Sequence, residues 1–171
     1  MTSVADLSTL RRKAGTAALL VFRATPGPVK RLLVRAGTPN YTVGAVCVLE
    51  HDGAVLVLSQ PHRQGWTLPG GLVDHGETPA QAVEREVREE VGLDIEAGDP
   101  VATGVHPRTQ SVDVVFRVVL DERPEVRLSS EARRSQWCDL AELSDTDQET
   151  QQIVELLHGS TAPPRPGRLR H

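Results

Sequence analysis

Aromatic residues are scarce in this chain of 171 residues: two Trp, one Tyr and two Phe, 3% of the total. Few side chains are therefore available to stack on a base. Cysteine is scarcer still. Cys47 and Cys138 do not make a disulfide scaffold, and both are expected to pack as small hydrophobes in a reduced, cytoplasmic setting. No run of about 18 uninterrupted apolar residues occurs, so no spanning helix is expected. The N-terminus has no signal-peptide layout: Arg11, Arg12 and Lys13 precede only a short apolar run, with no clear cleavage site. Hydrophobic residues make up 39% of the chain, enough for a core, and the length fits one domain plus extensions.

Acids outnumber bases, 23 to 19, but the signs are segregated. Residues 1–36 hold seven Lys/Arg against Asp6 alone. Residues 37–158 hold nine Arg against 22 acids, and the tail adds Arg165, Arg168 and Arg170. An acidic body argues against binding long nucleic acid. It is compatible with a small polyphosphate when divalent cations sit between the two.

The pattern along the chain divides it into a basic helical extension over 1–40, a main domain over 41–158 and a flexible Pro/Arg-rich tail over 159–171. In the extension, Leu7, Leu10, Ala14, Ala17, Ala18 and Val21 share one helical stripe. Thr25-Pro26-Gly27-Pro28 interrupts it, and a second short helix is expected from Val29 to Ala36. This basic pair is read as packing on the domain or making a homodimer. Contact of residues 6–36 with an anionic membrane surface is the less favoured reading, because the apolar stripe is narrow and rich in Ala.

In the main domain, Thr42 to Glu50 and Ala54 to Ser59 read as strands around an Asp52-Gly53 hairpin turn. Gly65 to Gly71 reads as a loop. Thr78 to Val91 is the clearest helix: Thr78 is a good N-cap, Pro79 suits the first position, Gln81 completes a capping box, and Gly92 suits the left-handed residue past the end. Val112 to Leu120 alternates as a strand, Trp137 to Leu140 is a shorter one, and Asp147 to His158 closes the domain as an amphipathic helix. Strands and helices mix without regular alternation. The expected class is α+β, a mixed sheet with helices packed on it.

The chemistry concentrates on the clearest helix. At roughly 100° per residue, Ala80, Val83, Val87 and Val91 line a face that should pack on the sheet. Glu86, Glu89 and Glu90 share a neighbouring arc, whereas Glu84 lies off it as ordinary surface and Arg85 and Arg88 point elsewhere. Like charges at this spacing repel. A solvated acidic face is the plain explanation. Hard oxygen ligands converging on one point also suit Mg²⁺ or Mn²⁺. The preceding loop favours the metal reading: Gly70-Gly71 lets backbone approach a ligand, a carbonyl near Gly70 can join the metal shell, and Glu77 adds an acid just before the cap.

Gly71, Glu77, Arg85, Glu86, Val87, Glu89, Glu90, Gly92 and Leu93 fill every fixed position of the pattern G-x5-E-x7-R-E-U-x-E-E-x-G-U, where U is a bulky aliphatic residue. This stretch resembles the Nudix box, and so many specified positions make it a specific signal. The wider resemblance covers about residues 42–145. It implies an α/β/α sandwich and a metal-dependent hydrolase that cleaves the diphosphate of a nucleoside diphosphate linked to a group X, a small-molecule substrate. It also implies Glu86, Glu89 and Glu90 as metal ligands and Arg85 as the residue orienting Glu77. Glu86 or Glu89 could serve as general base, and so could Glu131, six residues before Trp137, where some family members carry a catalytic glutamate. A Nudix-fold binding module without catalysis is the alternative, disfavoured because such relatives lose box glutamates and this chain keeps them.

Substrate residues are less marked. Tyr41 and Trp66 are the candidates to stack on a base, although Trp66 is more readily read as packing under its loop. His62, Arg63 and Arg108 are candidates to meet phosphate or ribose. His106 and Asp113 have no assigned role.

Overall fold

Asp52 and Gly53 both take positive φ, 48° and 78°. They turn strand β1 (Thr42–His51) back into β2 (Ala54–Ser59), as the Asp-Gly pair predicts. In the computed structural model, residues 22–129, 132–139, 145–159 and 167–169 are described. They divide into two compact units between Asn40 and Tyr41. The first contains helix α1 (Gly27–Gly37), which has Pro26 at its N-cap and Pro28 in its first turn and buries none of its side chains. Among the described residues no helix is long and apolar enough to cross a membrane.

The second unit is built on β1. Its parallel neighbour is β7 (Ser111–Val119), paired from Thr42↔Ser111 to Glu50↔Val119. The sheet runs β3-β2-β1-β7-β6, where β3 is Trp66–Thr67 and β6 is Ala102–His106. Two further strands complete it: β4 (Gly70–Leu72) pairs with β1, and β8 (Arg134–Asp139) pairs with β2. All pairings except β1 with β7 are antiparallel.

Helix α2 (Pro79–Val91) forms as its sequence dictates. Thr78 and Gln81 make the capping box, and Gly92 closes the helix at φ 73°. Val83, Val87 and Val91 are fully buried against Ala45, Leu49, Leu56 and Phe116 of the sheet. On the opposite face, Ile153 and Leu157 of α3 (Gln148–Gly159) cover Val48, Val55, Val57 and Val115. Asp147 caps α3 by accepting from the Thr150 N–H at 2.8 Å. The expected α/β/α sandwich with a mixed sheet is what forms. Both faces of the central strands are buried, which explains their near-continuous Val content.

Two expectations need correction, and one small sheet had no sequence signal. The stretch read as a loop over Gly65 to Gly71 contains β3 and β4, too short to carry a period of their own and held by pairing to β2 and β1. Ile95–Glu96 (β5) and Arg168–Leu169 (β9) form a separate two-stranded sheet. The part of the tail at 167–169, expected to be flexible, is therefore in register with the domain, with Arg168 also reaching the Glu96 carboxylate at 3.0 Å. Gly167 allows that approach, since a Cβ there would lie 2.4 Å from the Glu96 carbonyl oxygen.

Candidate functional site

Arg85 organises the acidic arc. Its Nε and Nη2 reach the two oxygens of Glu77 at 2.9 and 3.1 Å, and Nη2 also reaches the Leu72 carbonyl at 3.1 Å. Its Nη1 reaches Glu86 at 2.7 Å and Glu89 at 3.3 Å. These five bonds match the five N–H donors of a guanidinium. The expectation that Arg85 points away from the carboxylate arc is thus wrong. A wheel records where a Cα lies, whereas the long arginine side chain reaches its neighbours at i+1 and i+4. Hydrogen bonding to Arg85, and then to the Asp74 N–H, holds the Glu77 carboxyl below its usual range. Arg85 is pushed above its ordinary value by Glu77 first and Glu86 next.

Glu84 is not ordinary surface either: its carboxylate accepts from the Ala97 N–H at 3.1 Å and ties α2 to the segment after β5. Arg88 pairs with Asp94 at 2.7 Å.

The three box glutamates differ sharply in exposure. Glu89 is 61% exposed at its side chain and Glu86 18%. Glu90 is buried, at 4%. A buried carboxylate needs donors on both oxygens. Gln60 Nε2 donates to one, and the Gly70 N–H donates to the other at 3.0 Å. Gly71 faces Glu86 so closely that a Cβ there would lie 2.3 Å from its Oε1. Gly70, at φ 152°, has no room for a side chain against the Ala45 carbonyl.

Hard oxygen donors on Glu86, Glu89 and Glu90, beside bare glycine backbone, are a donor set that fits Mg²⁺ or Mn²⁺. Among the described residues no three acidic, His or Cys side chains are already gathered at ligand spacing. The reason is visible: Arg85 draws Glu86 and Glu89 to itself while Gln60 and Gly70 hold Glu90. Glu131 lies outside the described residues.

On the other side of Gly70 and Gly71 lies a cavity of about 300 Å³, lined also by Thr42, Gly44, Ser111 and Asp113. It shares Arg63, Thr109 and Ser111 with a larger one of about 880 Å³ that reaches His62, His106 and Arg108. Arg63 and Arg108 therefore come together along one groove, Arg63 paired to Asp147 at 2.5 Å. Tyr41 and Trp66 do not line either cavity. Tyr41 is exposed at the start of β1. Trp66 packs against the α3-side core with Arg134 5.7 Å over its ring.

Sequence reasoning missed Gln60 and Gly44 and left His106 and Asp113 without a role. Nothing local marks Gln60 as a partner of a residue thirty positions away. Asp113 had a signal: it precedes Val115 by two on β7, so it shares the face buried by α3.

The NUDIX domain family profile matches residues 38–157. A MutT-like protein of Streptomyces ambofaciens is 36% identical over 100 residues, 57% of this chain and 63% of that one. An ADP-ribose pyrophosphatase of Methanocaldococcus jannaschii is 29% identical over 118 residues, covering 63% of this chain and 68% of its own. The crystal structure of a MutT NUDIX hydrolase from Burkholderia pseudomallei aligns with a TM-score of 0.60, covering 69% of this chain and 98% of that one at 24% identity, a likeness of fold. With the matched segment spanning well over half of its length, the chain belongs to the NUDIX domain family.

Proposed function

We propose that this protein is a hydrolase cleaving the phosphoric anhydride bond of a nucleoside diphosphate linked to a group X, with Mg²⁺ or Mn²⁺ as cofactor. One observation carries the reading: Gly70 and Gly71 line a cavity of mixed polar and apolar character on one side and meet Glu90 and Glu86 on the other. A diphosphate lying along this bare backbone reaches the carboxylates without a side chain between.

Glu86, Glu89 and Glu90 would hold the cation, with the Gly70 backbone beside them. A bound divalent cation supplies neutralisation of the phosphate oxygens and a more acidic water. The chain's own residues do the rest. Arg85 fixes Glu77 and restrains Glu86 and Glu89 at the distances above. Gln60 and the Gly70 N–H hold Glu90 in place through one oxygen each. Glu89, the most exposed of the three, or Glu86 takes the proton of the attacking water. The water oxygen bonds to one phosphorus, the bridging P–O bond breaks, and the bridging oxygen leaves on the other phosphate. The products are a nucleoside monophosphate and phosphorylated X.

Nucleoside triphosphates, dinucleoside polyphosphates and nucleotide sugars, each with Mg²⁺ or Mn²⁺, form the test panel. At least one compound should be turned over by the wild type and lose about 10²–10⁴-fold in kcat with Glu89→Gln or Glu86→Gln, the range for removing a general base. Equal turnover by all three proteins on every compound would sink the mechanism.

A further inference from the structure

The sheet face under α3 is laid out in rows across paired strands. One row is His106, Ser111 and Thr42, and another is Ala102, Val115 and Val46. Between them Asp113 stands opposite Gly104 on β6 and Gly44 on β1. With glycine on both sides, no neighbouring side chain covers it within the sheet. A Cβ on Gly44 would lie 2.6 Å from Asp113 Oδ1, so the carboxylate occupies the space that glycine leaves. Asp113 lines the same cavity as Gly70 and Gly71.

The carboxylate is only 13% exposed, and His106 Nε2 lies 3.0 Å from its Oδ2. That nitrogen is buried and has no aligned hydrogen-bond partner among the described residues. His106 thus lies against Oδ2, while Oδ1 lies over Gly44, which lines the cavity. A largely buried carboxylate seeks donors. Beside a path for phosphates it repels anions, and an uncharged donor such as a hydroxyl can approach it without a counter-charge. Thr42, Thr109 and Ser111 add hydroxyls nearby, and no aromatic ring lines the cavity among the described residues. Such a lining suits a sugar better than a stacked base.

We infer that Asp113, propped by His106 and cleared by Gly44 and Gly104, is a specificity-determining residue that accepts a hydrogen bond from a sugar hydroxyl of the substrate. This rests on the hydrolase reading above and adds the substrate class: a nucleotide whose pentose, or whose X sugar, carries that hydroxyl.

The test compares compounds that differ by one hydroxyl. ATP is set against dATP, and ADP-ribose against its analogues lacking the 2′-hydroxyl on the adenosine or on the terminal ribose. Wild type, Asp113→Ala and Asp113→Asn are assayed for kcat/KM with Mg²⁺. Where a pair is not turned over, its Kd is taken by calorimetry. Wild type should favour the hydroxyl-bearing member of at least one pair by about tenfold or more, since a site built around a hydroxyl rejects the analogue lacking it. Asp113→Ala should bring that ratio to within about threefold of unity, with the loss falling on the hydroxyl-bearing compound. Asp113→Asn keeps an acceptor oxygen and the shape, and should retain part of the ratio. The pair that responds distinguishes the nucleoside ribose from the X sugar. A wild-type ratio near one in every pair, or a ratio unchanged in both variants, overturns the assignment. ITP is assayed beside ATP as a base control, and a dependence on Asp113 seen only in that pair also overturns it, because a base amine would then be read. If no compound is hydrolysed, the hydrolase reading fails, while the ratios of Kd still decide the role of Asp113.

Discussion

Glu77 and Gln60 show how single residues hold this site in place. The Arg85 guanidinium and the Asp74 N–H keep the Glu77 carboxyl below its usual range. A carboxyl with a lowered folded value contributes stability that is fully present above its unfolded value and is lost as pH falls through the folded one. The Glu77–Arg85 bridge should therefore survive acidification that protonates ordinary glutamates. Carbon-detected NMR titration of the Glu77 carboxyl should give a midpoint below the ordinary glutamate range, moving upward in Arg85→Lys, which lacks the fork. An ordinary midpoint in the wild type refutes the bridge. Gln60 acts through burial instead. Gln60→Leu strips one donor from the buried Glu90 carboxylate, and an unpaired buried polar group costs about 1–3 kcal/mol. Urea unfolding that leaves stability unchanged would mean Glu90 does not depend on Gln60. At this scale the sequence was half legible. Glu77, Arg85 and the box glutamates are spaced within one segment, and their chemistry can be read from it. Gln60 and Asp113 gain meaning only when separate strands meet.

Elements were legible in proportion to how local their causes are. Helix α2 carries its own cap, stop and buried stripe, so its limits follow from adjacent residues. Strands β3, β4, β5 and β9 are two or three residues long and exist through their partners, so no periodicity could announce them. The two kinds of element should respond differently to substitution. Thr78→Ala removes the reciprocal cap of α2 and should cost about 1 kcal/mol of stability; thermal or urea melting measures it, and no change would show that packing alone sets the helix start. Gly71→Ala in β4 places a methyl group against the Glu86 carboxylate. The neighbour is a side-chain end that can move, so the fold should hold while Glu86 is displaced. On whichever compound the wild type turns over, kcat should fall by more than about tenfold, with melting little changed; full activity would show that Glu86 has no fixed place over this glycine.

For the whole molecule, the decisive feature is charge that the fold concentrates rather than disperses. Residues 37–158 hold nine Arg against 22 acids, and the sandwich brings Glu77, Glu86 and Glu89 around a single guanidinium, with Glu90 buried on the same helix. The sandwich class could be read from the mix of elements, but the strand order could not, because β1 takes β7 as its parallel partner from 69 residues away in sequence. Folding therefore accumulates like charge at the α2 end, and a divalent cation that binds the folded state alone should relieve it. Ligand at about a hundred times its Kd adds roughly 2.7 kcal/mol. For a chain of this size each kcal/mol shifts Tm by about 2–4 °C. Saturating Mg²⁺ or Mn²⁺ should thus raise Tm by about 5–10 °C, whether or not a substrate is known. Glu89→Gln should shrink the shift. It should change Tm little without metal, because relieved repulsion with Glu86 offsets the weakened, exposed pair with Arg85. A shift that is absent in the wild type, or the same size in Glu89→Gln as in the wild type, would place any bound cation away from these carboxylates.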